Sequence, residues 1–131
     1  MTAPRILLVE DELSSAEVLA LLLADDGYEV TVAPDGRQAL LRLEEAAPDL
    51  LITDFMMPGM NGAMLVNALR DMPRYAALPV LMISGAPESA LRAYAVPYQA
   101  FLRKPFSLEE FLMVVARLRG APGDRPASPE A

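Results

Sequence analysis

Neither cysteine nor histidine occurs anywhere in the 131 residues. Their absence excludes disulfide scaffolds, ordinary zinc sites, Ser-His and Cys-His triads and imidazole acid–base chemistry. Any chemistry must rest on carboxylates, hydroxyls, cations or a hard metal. Long apolar runs are missing as well: the longest, Val18 to Ala24, falls far short of the ~20 residues that span a bilayer. The N-terminal segment turns acidic at Glu10, which does not fit a signal peptide. A soluble cytoplasmic protein with no membrane partner is therefore expected. Basic residues are outnumbered 11 to 18, for a formal charge of −7, which argues against direct binding of nucleic acid. Lysine is almost absent: Lys104 stands alone, and every other basic residue is arginine.

Apolar residues make up 53% of the chain, enough for one core in a domain of this length. Residues 120–131 (GAPGDRPASPEA) carry three prolines, two glycines and no large apolar side chain. They read as a flexible tail or the start of a linker, leaving residues 1–119 as the folded domain.

Along that domain, apolar runs and capped amphipathic segments alternate. Arg5 to Val9 is continuously apolar after its first residue and stops at Glu10-Asp11-Glu12, the pattern of a strand buried on both faces. Ser14-x-x-Glu17 offers a capping box for a helix over 16–26, closed by Gly27. Residues 28–33 alternate more, as an edge strand would. Asp35-x-x-Gln38 caps a second helix with Ala39, Leu40 and Leu43 inward. The cycle continues with a strand over 49–53, a helix over 63–72, a strand over 80–83, a short helix around 88–95 and a strand near 100–102. A last helix is capped by Ser107-x-x-Glu110, with Leu108, Phe111, Leu112, Val115 and Leu118 on its inner stripe. Five strand–helix units with right-handed crossovers predict an α/β, flavodoxin-like (βα)5 fold, a doubly wound parallel sheet in order 2-1-3-4-5.

Ligands of such sheets sit beyond the carboxyl ends of the strands. There the sequence delivers Glu10 and Asp11, then Asp54, then Ser84, then Lys104. Three carboxylates and one ammonium leave −2 in one pocket. Crowded carboxylates repel unless a cation intervenes, and Mg²⁺ suits the set, since it accepts one or two carboxylates and bridges to phosphoryl oxygens. Asp54 would then be a nucleophile toward phosphorus, with Mg²⁺, Lys104 and the Ser84 hydroxyl holding the phosphoryl oxygens.

The stretches ILLVEDE, PDLLITDFMMPGMNG, PVLMISG and FLRKPF, in that order, resemble the receiver domain of two-component response regulators, in particular the single-domain regulators of the chemotaxis type. The resemblance covers roughly residues 4 to 119, and the spacings of 43 and 30 positions from Asp11 to Asp54 to Ser84 are also those of the family. It implies that Asp54 accepts a phosphoryl group from a histidine kinase or phosphotransfer protein, that Glu10, Asp11, Asp54 and the backbone carbonyl of Met56 hold Mg²⁺, and that Lys104 contacts the phosphoryl group. Ser84 and Phe101 would be the switch pair, Lys104-Pro105 a cis peptide, and the face of the fourth helix, fifth strand and fifth helix the contact for a downstream protein. The domain would assist its own phosphorylation and dephosphorylation without being an enzyme in the ordinary sense. Met56 and Ala86 fall where the family tunes hydrolysis, and neither can orient a water, so a long-lived phosphoryl-aspartate is expected.

Three departures stand out. Ser84 and Lys104 are 20 positions apart, short for the family. Val96-Pro97-Tyr98-Gln99 replaces the usual Gly-Ala and acidic pair, predicting a short or displaced fourth helix and arguing against the usual dimer through that face. Phenylalanine rather than tyrosine holds the switch position, losing the hydroxyl. Other readings are a receiver-like front end of a longer regulator and a binding module that no longer switches. A phosphatase of the haloacid dehalogenase kind needs an acid where Met56 stands. A flavin binder lacks a Ser/Thr/Gly-rich loop after the first strand.

Overall fold

The computed structural model describes residues 3–119; the tail expected over residues 120–131 lies outside the described residues. Five parallel strands, β1 (Arg5–Val9), β2 (Glu29–Ala33), β3 (Leu50–Asp54), β4 (Val80–Ser84) and β5 (Ala100–Arg103), form one sheet in the order β2-β1-β3-β4-β5. The predicted flavodoxin-like topology is thus observed. Four α-helices, α1 (Leu13–Asp25), α2 (Gly36–Ala46), α3 (Gly62–Arg70) and α4 (Leu108–Arg119), and two 3-10 segments, Pro73–Tyr75 and Glu88–Tyr94, complete the described chain.

The period of two along a strand explains why the central strands are apolar throughout. In β1, Leu7 and Val9 face α2 and α3, while Ile6 and Leu8 face α1 and α4. Leu51 against Leu50 and Ile52 in β3, and Val80 and Met82 against Leu81 and Ile83 in β4, divide in the same way. Two cores result, one on each side of the sheet. β2 pairs only with β1, and its outer edge leaves Glu29 exposed and Val30, Thr31 and Val32 half-buried, as its alternating sequence requires.

Local chemistry sets the element ends, and several differ from expectation by a turn or a residue. The Ser14–Glu17 box does not cap α1. The carboxylate of Glu12 does, accepting the Ser15 amide at 3.2 Å and the Ser14 hydroxyl at 2.8 Å, so the helix begins at Leu13. A charged cap at a helix N-terminus also meets the positive end of the dipole. Gly27 follows α1 with φ +98°, the left-handed geometry that glycine supplies freely. Asp35 caps α2 as predicted, accepting the Gln38 amide at 2.8 Å. Asn61 caps α3 through the Met64 amide at 2.8 Å. That helix stops at Arg70, short of Met72, because the residue before Pro73 is held extended, with φ −98° and ψ 119°.

The short fourth helix expected around residues 88–95 is present as a 3-10 segment, Glu88–Tyr94; it buries only Leu91, and Ala95 ends the run in the left-handed region. A further correction concerns the last helix. In α4 the Ser107 hydroxyl accepts the Glu110 amide at 3.0 Å, and Phe111, Val114 and Val115 are buried. Leu108, expected on the inner stripe, is 44% exposed, because the first turn stands at the mouth of a groove beside α1 rather than over the sheet.

Candidate functional site

At the carboxyl ends of β1, β3 and β5 the described residues bring together the charged groups the sequence singled out. Carboxylate oxygens of Glu10, Asp11 and Asp54 lie within 4.8 Å of one another. Glu10 and Asp54 are only 3% and 5% exposed, while Asp11 is open to solvent. The Lys104 ammonium reaches across from β5, 2.8 Å from Asp54 Oδ2 and 3.2 Å from Glu10 Oε1.

The backbone holds this group in place. Asp54 ends β3, the strand between β1 and β4, and its pairing with Ile83 is extended by the Phe55 amide donating to the Ile83 carbonyl at 2.7 Å. Glu10 is fixed at both ends: its amide donates to the Ala33 carbonyl at 3.1 Å and its carboxylate accepts the Glu12 amide at 3.1 Å. Lys104 donates its amide to the Ser84 carbonyl at 2.8 Å, and the Lys104–Pro105 bond is cis, as the family resemblance implied.

Electrostatics follow from burial and proximity. Burial, with the Asp54 charge adding to it, holds the Glu10 carboxyl above its ordinary range, although the Glu12 amide and Lys104 pull the other way. Burial alone would lower the Lys104 ammonium, but hydrogen bonds to Asp54 and Glu10 and their charges outweigh it and hold it above the usual lysine range. The pocket therefore keeps its one cation while carrying an excess of carboxylate. Oxygen donors of this kind on a net negative pocket are the chemistry that a small hard divalent cation satisfies.

Ser84 ends β4, fully buried, and its Oγ accepts the Ala86 amide at 2.9 Å, which leaves its hydroxyl proton free to donate. Met56 lies two residues past Asp54, with its side chain mostly exposed. Phe101 pairs with Met82 in the sheet and packs half-buried against the α2–α3 core, away from the acidic cluster and beside the 3-10 segment.

Two residues contribute that sequence reasoning passed over. Gly62 opens α3 so close to β3 that a Cβ would lie 2.5 Å from the Asp54 carbonyl oxygen and 3.0 Å from Phe55 Cα, so only glycine fits without moving the strand end. Thr53, fully buried, donates its hydroxyl to the same carbonyl at 3.0 Å. A Gly immediately after a capping Asn was the available signal for the first; nothing in the sequence marks the second.

Beside the cluster, a groove of about 400 Å³ runs between α1 and the start of α4, lined by Ser14, Ser15, Val18, Leu19, Pro105, Phe106 and Leu108, with Glu10 and Lys104 at its inner end. On the solvent side of α1, Leu13, Val18 and Leu21 are exposed. No described helix is long and apolar enough to cross a membrane.

Comparison with known proteins agrees with this architecture. Residues 6–116 match the model of the response regulator receiver domain. The chain is 41% identical over 117 residues to the sensor histidine kinase TmoS of Ectopseudomonas mendocina, covering 88% of this chain and 12% of the kinase. It spans about half the length or less of the curated relatives it matches first. Among solved structures, the chemotaxis protein CheY4 of Vibrio cholerae superposes with a TM-score of 0.82 at 35% identity, over 89% of this chain and 99% of that one. The receiver domain of the sensor histidine kinase PA1611 from Pseudomonas aeruginosa, whose active-site cleft coordinates a magnesium ion, does so with a TM-score of 0.82 at 26% identity, over 91% and 100%. With the fold, the strand-end carboxylates and the family match in agreement, this chain belongs to the response regulator receiver domains, the aspartate-phosphorylated modules of two-component signalling.

Proposed function

We propose that Asp54 is the phosphoacceptor of this receiver, and that the domain signals through a change in protein contacts. The observation that carries the assignment is the convergence of Glu10, Asp11 and Asp54 within 4.8 Å under a single ammonium at 2.8 Å from Asp54. A carboxylate oxygen of Asp54 attacks phosphorus, a P–O bond forms, and the P–N bond of a phosphohistidine on the kinase or phosphotransfer partner breaks, its electron pair leaving with the imidazole. Glu10, Asp11, Asp54 and the Met56 carbonyl would hold Mg²⁺, which supplies charge neutralisation for the transferring group. Lys104 then exchanges its bond to Asp54 for one to a phosphoryl oxygen, and the free proton of the Ser84 hydroxyl is donated to another.

The phosphodonor docks on the exposed apolar groups beside the cleft, Leu13, Val18, Leu21 and Leu108, from which its phosphohistidine reaches Asp54. The downstream face is the one built from the Glu88–Tyr94 segment, β5 and α4, including Phe101. The receiver unit ends with α4, and the same unit serves equally as a free-standing switch or as one module of a longer protein. Phosphate incorporation, or Mg²⁺-dependent binding of beryllofluoride as its mimic, tests the assignment: wild type takes it up and Asp54→Asn does not. Equal uptake by both proteins removes Asp54 from the role. Uptake in which nothing beyond the cleft responds makes the domain a constitutive binding module instead.

A further inference from the structure

The connection from β4 to β5 is anchored at a few points, among them buried Leu91 and Val96, Tyr94 edge-on to Phe55 at 5.4 Å and the Arg70 bond to the Pro97 carbonyl at 3.2 Å. Its 3-10 segment is seven residues long, beyond the three or four that this geometry usually sustains. It buries only Leu91, whereas α3 buries five side chains or backbone positions along its length. Ala95 sits in the left-handed region at φ 49° without being glycine, a conformation with a steric cost. Across this connection runs one side chain–side chain hydrogen bond among the described residues: the Tyr98 hydroxyl donates to Glu88 Oε2 at 2.7 Å. The Tyr98 ring also lies 6.4 Å from that of Phe101 and packs on the same core.

The two ends of that hydrogen bond connect to the two halves of the switch. Glu88 is two residues beyond Ala86, whose amide is bound to the Ser84 hydroxyl oxygen at 2.9 Å. Tyr98 stands at the entry to β5, against the phenylalanine that has no hydroxyl of its own. Burial, reinforced by Glu88, holds the Tyr98 phenol up at about 12, so it remains a donor at any physiological pH.

We infer that the Tyr98–Glu88 hydrogen bond is a latch that holds the β4–β5 connection in its resting arrangement and opens when an occupied Asp54 draws Ser84 and the residues after it toward the cleft. The inference rests on the reading of Asp54 as phosphoacceptor. A bond made only in the resting state opposes occupation of the site, and by linkage its removal favours occupation by the same factor.

The test is a beryllofluoride titration of the full chain in Mg²⁺, with wild type, Tyr98→Phe, which keeps the ring, and Glu88→Ala, together with amide exchange of the unliganded proteins. Both variants are expected to bind beryllofluoride about three- to tenfold more tightly, the effect of one partly exposed hydrogen bond to a charged group. The double variant should be no tighter than the singles, and the Ala90 and Ala95 amides should exchange faster. Wild type that binds while both variants bind within twofold of it, or more weakly, overturns the latch and leaves Asp54 in place. Wild type that does not bind overturns the reading of Asp54, and unchanged exchange at Ala90 and Ala95 overturns the latch independently.

Discussion

The two halves of the carboxyl edge differ in how they are held. On the β1–β3 side, Glu10 is tied to the Glu12 amide and the Ala33 carbonyl, and Asp54 sits between β1 and β4 with its carbonyl bound by the Thr53 hydroxyl beneath a helix that begins at Gly62 with no room for a side chain. On the β4–β5 side, a 3-10 segment buries only Leu91, sets Tyr94 edge-on to Phe55 at 5.4 Å, and is followed by a stretch held by buried Val96, an Arg70 bond to the Pro97 carbonyl and the Tyr98–Glu88 hydrogen bond. On the proposed reading of Asp54 as phosphoacceptor, the first half would fix charges where phosphorus is to be attacked, since misplacement there costs rate directly. The second has the low local stability from which moving elements are drawn. The proposed function would thus divide chemistry and signalling between neighbouring strands of one sheet.

That division can be broken or sharpened, beginning with the largest effect. Phe111→Ala, which empties the centre of the α1–α4 core where the ring is fully buried, is expected to cost about 3–5 kcal/mol in chemical denaturation. Leu91→Ala removes a side chain of comparable burial but should cost only about 2 kcal/mol, the low end for such truncations, and the loss should be confined to amides of 88–96 in hydrogen exchange. Global loss of protection with Leu91→Ala would erase the distinction between the halves. Lys104→Met leaves Glu10 and Asp54 facing each other without their cation. With the lysine one-third exposed, the expected cost is about 1–2 kcal/mol in metal-free buffer, recovered on adding Mg²⁺ as a thermal-shift titration would show.

Smaller effects sharpen the picture. Met56→Asn places an amide able to orient water beside the acceptor and should shorten the lifetime of labelled phosphoprotein, on the order of tenfold. Loss of label within seconds from the wild type would contradict the long-lived state expected for Met56 and Ala86. Finally, the Tyr98 phenol, raised from 10 to about 12, contributes stability that is complete below pH 10 and is lost as pH rises through 12. Absorbance titration should show the Tyr98 phenol ionising at lower pH in Glu88→Ala than in the wild type.

Much of the site was legible because each buried strand advertises its end: ILLV stops at Glu10, LLIT at Asp54, VLMI at Ser84, and the lone lysine stands just past β5. Position along a strand is a one-dimensional property, and apolar runs report it well. What stayed hidden depends on three-dimensional competition. Glu12 and Ser14 are both competent caps, and only the path of the chain out of β1 decides for Glu12. Leu108 obeys the helical period and is exposed nonetheless, because the period does not reveal that the first turn overhangs a groove. ESALRAY has acceptable helix formers, yet with one buried side chain and Ala95 in the left-handed region it winds as a 3-10 segment. Gly62 follows a capping Asn, and only the 2.5 Å approach to the Asp54 carbonyl shows that it is a spacing requirement.

The single lysine makes the cleft self-reporting. With one side-chain amine in the chain, and that amine bound to Asp54 and Glu10, selective isotopic labelling of lysine yields one ammonium signal. Its frequency reads out occupation by metal, mimic or phosphoryl group without any probe being added. The same economy makes the site vulnerable: an acyl group placed on that one nitrogen would remove, in a single step, the only cation that the described residues bring to the carboxylate cluster.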